Sequence, residues 1–264
     1  MARIAVAATA PFGADVLGRL AEQHEIDYLL TRPDRGRGRG RRVAPTPAKE
    51  VAERLGIPIQ QPERLEPGFE PGIETVVVVA YGLLVPSHAL QRARWLNVHP
   101  SLLPRWRGAA PVERALMAGD PDTGVSIIEL VEELDAGPIG AQEKFEVAMD
   151  DDAGAVFARA AELTPDLIEA ALENARPSPQ AGEGITYAEK IGPADRELDW
   201  SRPPEELHNR IRALSPHIGA RGVVDGRPVI VWRSRLTDGR LELLEVQPEG
   251  RRRMTYDEFL RGLR

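Results

Sequence analysis

RIAVAATAPFGADVLGRLAEQHEIDYLLT, residues 3–31, reads as strand, helix and strand in succession. Arg3 to Thr9 is a short apolar run of the kind a buried strand needs. Phe12 to Glu22 places Val16, Leu17 and Leu20 at helical spacing, and Ile26 to Thr31 returns to an extended pattern. Two strands joined by a helix within roughly 30 residues form a βαβ unit, which implies a parallel sheet with helices on its faces. The turn after the first strand, Ala8 to Gly13, holds a single glycine. It lacks the GxGxxG phosphate fingerprint, which argues against a dinucleotide site.

Outward from this unit, Thr46-Pro47 opens a helix to about Leu55, with proline at the first helical position and Gly56 as its stop. Arg32 to Pro47, before it, is an irregular segment of Gly, Arg and Pro. Ile57 to Gln61 is a short strand. Glu74 to Tyr81, ETVVVVAY, is the most β-branched run and is expected at the buried centre of the sheet. A short helix begins at Pro86-Ser87, and Trp95 to His99 forms the next strand. Then come a helix at Ala109–Ala118, a strand at Gly124–Leu130, an edge strand at Ala141–Val147 and a helix from Ala153 to about Ala175. Asp150, Asp151 and Asp152 suit the start of that helix, because carboxylates favour helix N-termini. The expected class is α/β, a Rossmann-like, mostly parallel sheet with helices on both faces.

Asn174 to Gly184, NARPSPQAGEG, is the candidate domain boundary. The division is 1–175, a linker at 176–198, and a small β-rich part at 199–264. That part has a helix at Pro204–Leu214 and strands near Gly219–Val224, Pro228–Arg233 and Arg240–Val246. Asp225-Gly226 marks a hairpin turn, and a last helix runs from Tyr256 to Leu263.

Composition narrows the function. The 264 residues carry a net charge of −7, with 42% hydrophobic and 28% charged residues, as an ordinary globular protein does. No run approaches the ~18 apolar residues of a membrane span, so no membrane partner is expected. The N-terminal apolar run is short and meets Asp15, which favours a first strand over a signal peptide. With no cysteine, disulfides and thiolate metal sites are excluded, and a cytoplasmic location is the default. His24, His88, His208 and His217 show no metal-ligand spacing, and no metal is expected. The acidic whole is no general nucleic-acid binder. Yet Arg35, Arg37, Arg39, Arg41 and Arg42 cluster locally, as do Arg251 to Arg253, and such clusters engage polyanions.

The chemistry-bearing stretch is LNVHPSLLPRWRG, residues 96–108. Residues two apart on a strand share a face, so Asn97 and His99 project together before Pro100 and Pro104 end regular structure. Acyl transfer to an amine needs a donor for the developing oxyanion, a base for the amine proton and a carboxylate to hold the base. Asn97, His99 and Asp135 supply those types, at strand ends where open α/β sheets bind ligands. On spacing alone, a buried structural histidine and a turn-forming aspartate remain the alternative.

LNVHPSLLPRWRGAAPVERAL, followed by GDPDTGVSIIELVEELDAGPI, resembles the 10-formyltetrahydrofolate-dependent formyltransferases. TRPDRGRGRGRR, TVVVVAYGLLVP, TYAEKI, IRALSP, PVIVW and LEVQPEGRRRM extend the likeness over nearly the whole chain, most closely to members that act on tRNA. The resemblance implies a catalytic set of Asn97, His99 and Asp135. Asn97 would hold the formyl oxygen, His99 would stabilise or protonate a tetrahedral intermediate, and Asp135 would fix His99. It implies folate contacts at Ser101, Leu102, Leu103 and Pro104, with Tyr81, Gly82 and Leu83 and residues 130–134 walling a pterin pocket. It further implies tRNA contacts from Arg35, Arg37, Arg39, Arg41 and Arg42; Arg105 and Arg107 are read as contacts to the tRNA acceptor end or the folate tail, with a solvated, stem-packed pair as the alternative. The co-substrate would be 10-formyltetrahydrofolate, the acceptor methionyl initiator tRNA, and the protein a monomer. A small amine acceptor, such as a nucleotide-linked amino sugar or glycinamide ribonucleotide, is the alternative. The C-terminal part is shorter than the OB-like barrel of the family, so a three-stranded sheet with a terminal helix is expected there. The usual Gly-Thr-Pro after the first strand is replaced by Ala8-Thr9-Ala10-Pro11.

Overall fold

Five consecutive residues, Thr75–Val79, are completely or almost completely buried, as the β-branched run requires. In the computed structural model, which describes residues 1–37 and 42–262, this strand is the centre of a seven-stranded sheet. The spatial order is Ile139–Glu146, Asp122–Glu129, Arg94–His99, Thr75–Val79, Arg3–Ala8, Glu25–Leu30 and Ile59–Gln60. Arg3–Ala8 lies parallel to Glu25–Leu30 and to Thr75–Val79, and Thr75–Val79 lies parallel to Arg94–His99. The helix Pro11–Gln23 buries Val16, Leu17 and Leu20, the three residues its spacing singled out.

One direction differs from expectation. Asp122–Glu129 runs antiparallel to Arg94–His99, with Leu96 opposite Glu129 and His99 opposite Ser126. Asp135 therefore does not follow a parallel strand. The chain re-enters the sheet from the end at which His99 left it, and the turn after Glu129 must double back to bring Asp135 towards the site.

Two compact units divide the chain, and neither is continuous in sequence. The first comprises Met1–Arg107, Gly124–Glu143 and Ala158–Ile185; the second comprises Gly108–Thr123, Lys144–Phe157 and Thr186–Arg264. This partition differs from the sequential 1–175, 176–198 and 199–264. The segment read as a linker is shared between the units up to and beyond Ile185, and its first part is bonded into the first unit. Ser178 and Ile139 exchange backbone hydrogen bonds at 2.8 and 3.0 Å.

In the first unit, Arg94 binds the sheet to the end of the helix Ala153–Glu173. Its Nε donates to Glu129 at 2.7 Å, and Nη2 donates to the carbonyls of Ala171 and Asn174 at 3.0 and 3.2 Å. Those carbonyls have no helical partner, so a cation there satisfies them and suits the helix dipole.

His24, only 5% exposed, closes the Pro11–Gln23 helix, and its Nδ1 accepts from Ala2 N–H at 3.3 Å. That bond requires a lone pair on Nδ1, so the neutral ring is the one that fits. Burial lowers its pKa from 6.5, against an opposing pull from Glu169. The unfolded chain therefore takes up the proton first as pH falls. The contribution is full above pH 6.5 and is lost as pH falls through the lowered folded value. His24→Gln should flatten this dependence. Urea unfolding at about pH 7.5 and 5.5 checks it, with the unsubstituted protein losing the greater share of its stability on acidification.

The second unit holds a four-stranded antiparallel sheet: Ala220–Val224, Arg227–Thr237, Arg240–Pro248 and Met254–Thr255. Asp225-Gly226 and Asp238-Gly239 each turn with both residues at positive φ, as two-residue hairpins demand. The second of these turns lengthens the middle strands, and Met254–Thr255 adds a fourth strand where three were expected. Its core gathers Leu207, Ile211 and Leu214 from the helix Pro204–Leu214 with Val229, Val231, Val246 and Phe259.

Candidate active site

Asn97 and His99 share a face of the Arg94–His99 strand, and the turn between the Asp122–Glu129 and Ile139–Glu146 strands carries Asp135. The structure brings the three together within the first unit. Asn97 Nδ2 donates to Asp135 Oδ1 at 3.3 Å, and His99 Nδ1 lies 3.7 Å from Asp135 Oδ2. His99 and Asp135 are 4% and 9% exposed, so a charge on either acts in a poorly screened setting.

The histidine tautomer follows from its other contact. His99 Nε2 lies 2.8 Å from the Trp106 carbonyl, which can only accept, so Nε2 carries the proton. Nδ1 of the neutral ring then presents its lone pair towards Asp135. At 3.7 Å this is too long for a hydrogen bond.

The backbone is strained around these groups. Trp106 and Asp135 sit at φ 66° and 48°, and Ala80, before Tyr81 and Gly82, at 46°. Left-handed backbone at a residue with a Cβ costs about 1–3 kcal/mol and persists where surrounding contacts over-determine it. The strain at Trp106 aims its carbonyl at His99; that at Asp135 belongs to a turn whose Ala136 N–H donates to Glu133 O at 3.3 Å.

The SLLP residues are held largely by the loop's own bonds. Ser101 is fully buried, and its Oγ donates to Arg105 O at 2.7 Å. Ser126 Oγ donates to Ser101 O at 2.6 Å and accepts from Leu103 N–H and Gln142 Nε2. Leu103 is also buried, so Ser101 and Leu103 hold the loop by internal bonds and packing. Leu102 and Pro104 keep exposed surface, as do Gly82 and Leu83, whereas Tyr81 is buried. The Tyr81 hydroxyl has no partner among the described residues, and burial pushes its pKa up to about 12.

Arg107, read as a contact to tRNA or the folate tail or as a stem-packed arginine, is turned inward. It is 5% exposed, with Nε and Nη2 donating to Gln180 Oε1 at 3.1 and 2.8 Å and Nη1 donating to Glu133 at 3.2 Å. A guanidinium so occupied is a bracket within the unit. Arg105 is half-buried, with its guanidinium 4.4 Å from the centre of the Trp106 ring. Gln180, Ser126 and Gln142 carried no motif by which sequence reasoning could find them.

The basic segment, read as irregular, forms an antiparallel hairpin with arms Arg35–Arg37 and Arg42–Ala44. Arg35 is exposed, and Arg37 and Arg42 are paired on the arms. Arg39 and Arg41 lie outside the described residues. The hairpin root is anchored: Lys49 donates to Asp34 and Gln61 at 2.6 and 3.0 Å, and Gln61 donates to Asp34 and to Arg32 O. The Lys49 hydrogen bond lowers the pKa of Asp34.

A buried imidazole backed by a carboxylate and flanked by a primary amide is a set for chemistry at a carbonyl. Residues 2–172 match the family described as Formyl transferase, and residues 190–240 match Formyl transferase, C-terminal domain. The chain belongs to the formyl transferase family. It is 38% identical to the methionyl-tRNA formyltransferase of Paracoccus denitrificans over 290 residues, covering 99% of this chain and 97% of that one. It is also 38% identical to the methionyl-tRNA formyltransferase of Halorhodospira halophila, over 100% of this chain and 97% of that one. The solved methionyl-tRNA formyltransferase of Clostridium thermocellum superposes with a TM-score of 0.67 over 94% of this chain and 99% of that one. At 16% identity, that likeness speaks for the fold. No helix among the described residues is long and apolar enough to cross a membrane, and none of their His, Asp and Glu clusters could hold a metal ion.

Proposed function

We propose that this chain transfers the formyl group of 10-formyltetrahydrofolate to the α-amino group of methionyl initiator tRNA. The near full-length likeness to methionyl-tRNA formyltransferases carries the reading. A folate fits the chemistry of the residues around Asp135. Val131 and Leu134, within four residues of Asp135, are exposed apolar side chains suited to a ring face. When bound, the folate supplies a formyl group on a nitrogen that can leave.

The chain's own residues supply the rest. The Asn97 amide is a neutral donor for a carbonyl oxygen as charge gathers there. His99 accepts the proton of the attacking amine at Nδ1, and the Asp135 carboxylate stabilises the imidazolium so formed. The Nε2–H bond to Trp106 keeps the ring oriented while the proton is held and returned. No covalent bond to the chain is needed.

A formyl-transfer assay with 10-formyltetrahydrofolate tests this, offering methionyl-tRNA, glycinamide ribonucleotide and a nucleotide-linked amino sugar in parallel. Transfer to methionyl-tRNA alone supports the reading. Transfer only to a small amine reassigns the acceptor, and transfer to none overturns it.

The arginine hairpin is the segment we assign to the tRNA backbone. Replacing Arg35, Arg37, Arg39, Arg41 and Arg42 by alanine should raise KM for methionyl-tRNA and flatten its dependence on salt. Each lost phosphate contact removes about 0.7–0.9 from the slope of log affinity against log salt. An unchanged slope would take the hairpin out of RNA binding.

A further inference from the structure

Gln180 lies in the Pro- and Gly-rich stretch that the sequence marks only as a boundary, yet both ends of its side-chain amide are committed. Nε2 donates to the carbonyls of Asp135 and Gly137 at 2.7 and 2.8 Å. Oε1 accepts from Arg107 Nε and Nη2 at 3.1 and 2.8 Å. The amide orientation is therefore determined by chemistry. Reversed, it would face a guanidinium with its NH2 and two carbonyls with its oxygen.

The approach of Gln180 is also set. Two residues earlier, Ser178 pairs with Ile139, at the start of the strand that follows the Asp135 turn. Arg107 bonds Glu133 at the other end of the same turn, so Gln180 and Arg107 grip residues 133–137 at three points. Within that grip lies the left-handed backbone of Asp135, whose carboxylate meets Asn97 and faces His99.

We propose that Gln180 is a positioning residue for formyl transfer, holding the Asp135 turn so that the carboxylate faces His99; the inference rests on the function proposed above. Gln180 touches no reacting atom. It acts through Asp135, and its loss lowers turnover far more than it changes binding of methionyl-tRNA.

The test measures kcat, KM for both substrates and thermal stability in the full chain bearing Gln180→Ala, Asp135→Asn or both. The wild-type rate, measured alongside, reports separately on the formyl-transfer reading. Gln180→Ala should lower kcat roughly 30- to 100-fold, the scale of a misplacement near 1 Å, with KM for methionyl-tRNA within about twofold. In the Asp135→Asn background the same substitution should cost less than about threefold, because the charge it aims is gone. Gln180→Glu keeps the acceptor for Arg107 but turns an oxygen on both carbonyls, and should match the loss of Gln180→Ala. A kcat within about threefold of wild type in either folded single variant overturns the proposal. So does a full, additive loss in the Asp135→Asn background, which is the mark of a merely structural role.

Discussion

Replacing His99 by alanine lowers kcat for formyl transfer by about three orders of magnitude, the upper range for a lost general acid–base group. Methionyl-tRNA binding, measured by filter retention, stays within about twofold. The size of the loss follows from the geometry. In the proposed mechanism His99 Nδ1, which faces Asp135, accepts the proton, and among the described residues no second imidazole joins the Asn97, His99 and Asp135 cluster. The substitution also removes the hydrogen bond that the Trp106 carbonyl accepts from His99, at about 0.5–1.5 kcal/mol of stability. A melting curve separates that cost from the chemistry. Asp135→Asn is the sharper companion: it keeps the side-chain shape and an oxygen for Asn97 but removes the charge facing the imidazolium. It should lose about two to three orders in kcat with little change in melting temperature. Near-normal turnover in either variant would remove the assigned roles.

Gly137→Ala is the second large effect. A Cβ at Gly137 would stand 1.7 Å from the Glu129 carbonyl oxygen, a backbone atom that cannot rotate away. Glu129 is itself tied to the turn by its N–H bond to Pro138 O at 3.0 Å, so the two strands cannot simply part. The turn must move instead. Its movement carries the Gly137 carbonyl off Gln180 and displaces Asp135 two residues earlier. Expected are a loss of about 1–3 kcal/mol from overpacking and a fall in kcat of roughly a hundredfold. Gly182→Ala is the control, since nothing lies within 4 Å of its Cβ position, and it should leave both quantities unchanged. Equal behaviour of the two variants in denaturant melts and turnover would refute the account.

The helices were the most legible elements, because each had a periodic face and a recognisable start. Pro204–Leu214 begins and ends where its pattern places it, and Thr46 caps Pro47–Leu55 by accepting from Lys49 N–H at 3.1 Å. Asp152 likewise accepts from Ala155 N–H at the start of the Ala153–Glu173 helix. Less legible were elements held by pairing alone. The arginine hairpin and the Met254–Thr255 strand are too short for alternation to show, and only their partners define them.

Within the site, strand alternation put Asn97 and His99 on one face whatever the surroundings, but residue types and spacing left a structural histidine and a turn-forming aspartate open, and the family resemblance was needed to join Asp135 to them. Sequence could not assign the histidine tautomer, because a backbone carbonyl at a strained tryptophan decides it. Nor could it turn Arg107 inward. An arginine beside a tryptophan reads as surface until a glutamine 73 residues away is shown to accept its hydrogen bonds.

The sequence by itself determined the βαβ opening, the buried central strand and the helices, each a local matter of periodicity, capping or residue type, and its likeness to the formyltransferases picked out the three chemical groups. Tertiary structure alone decided the antiparallel strand beside His99, the discontinuous units, the internal role of Ser101 and the grip of Gln180 and Arg107 on the Asp135 turn. Those depend on which backbone carbonyls and amides are left unpaired once the chain is packed. That balance is struck between residues far apart in sequence and leaves no local pattern.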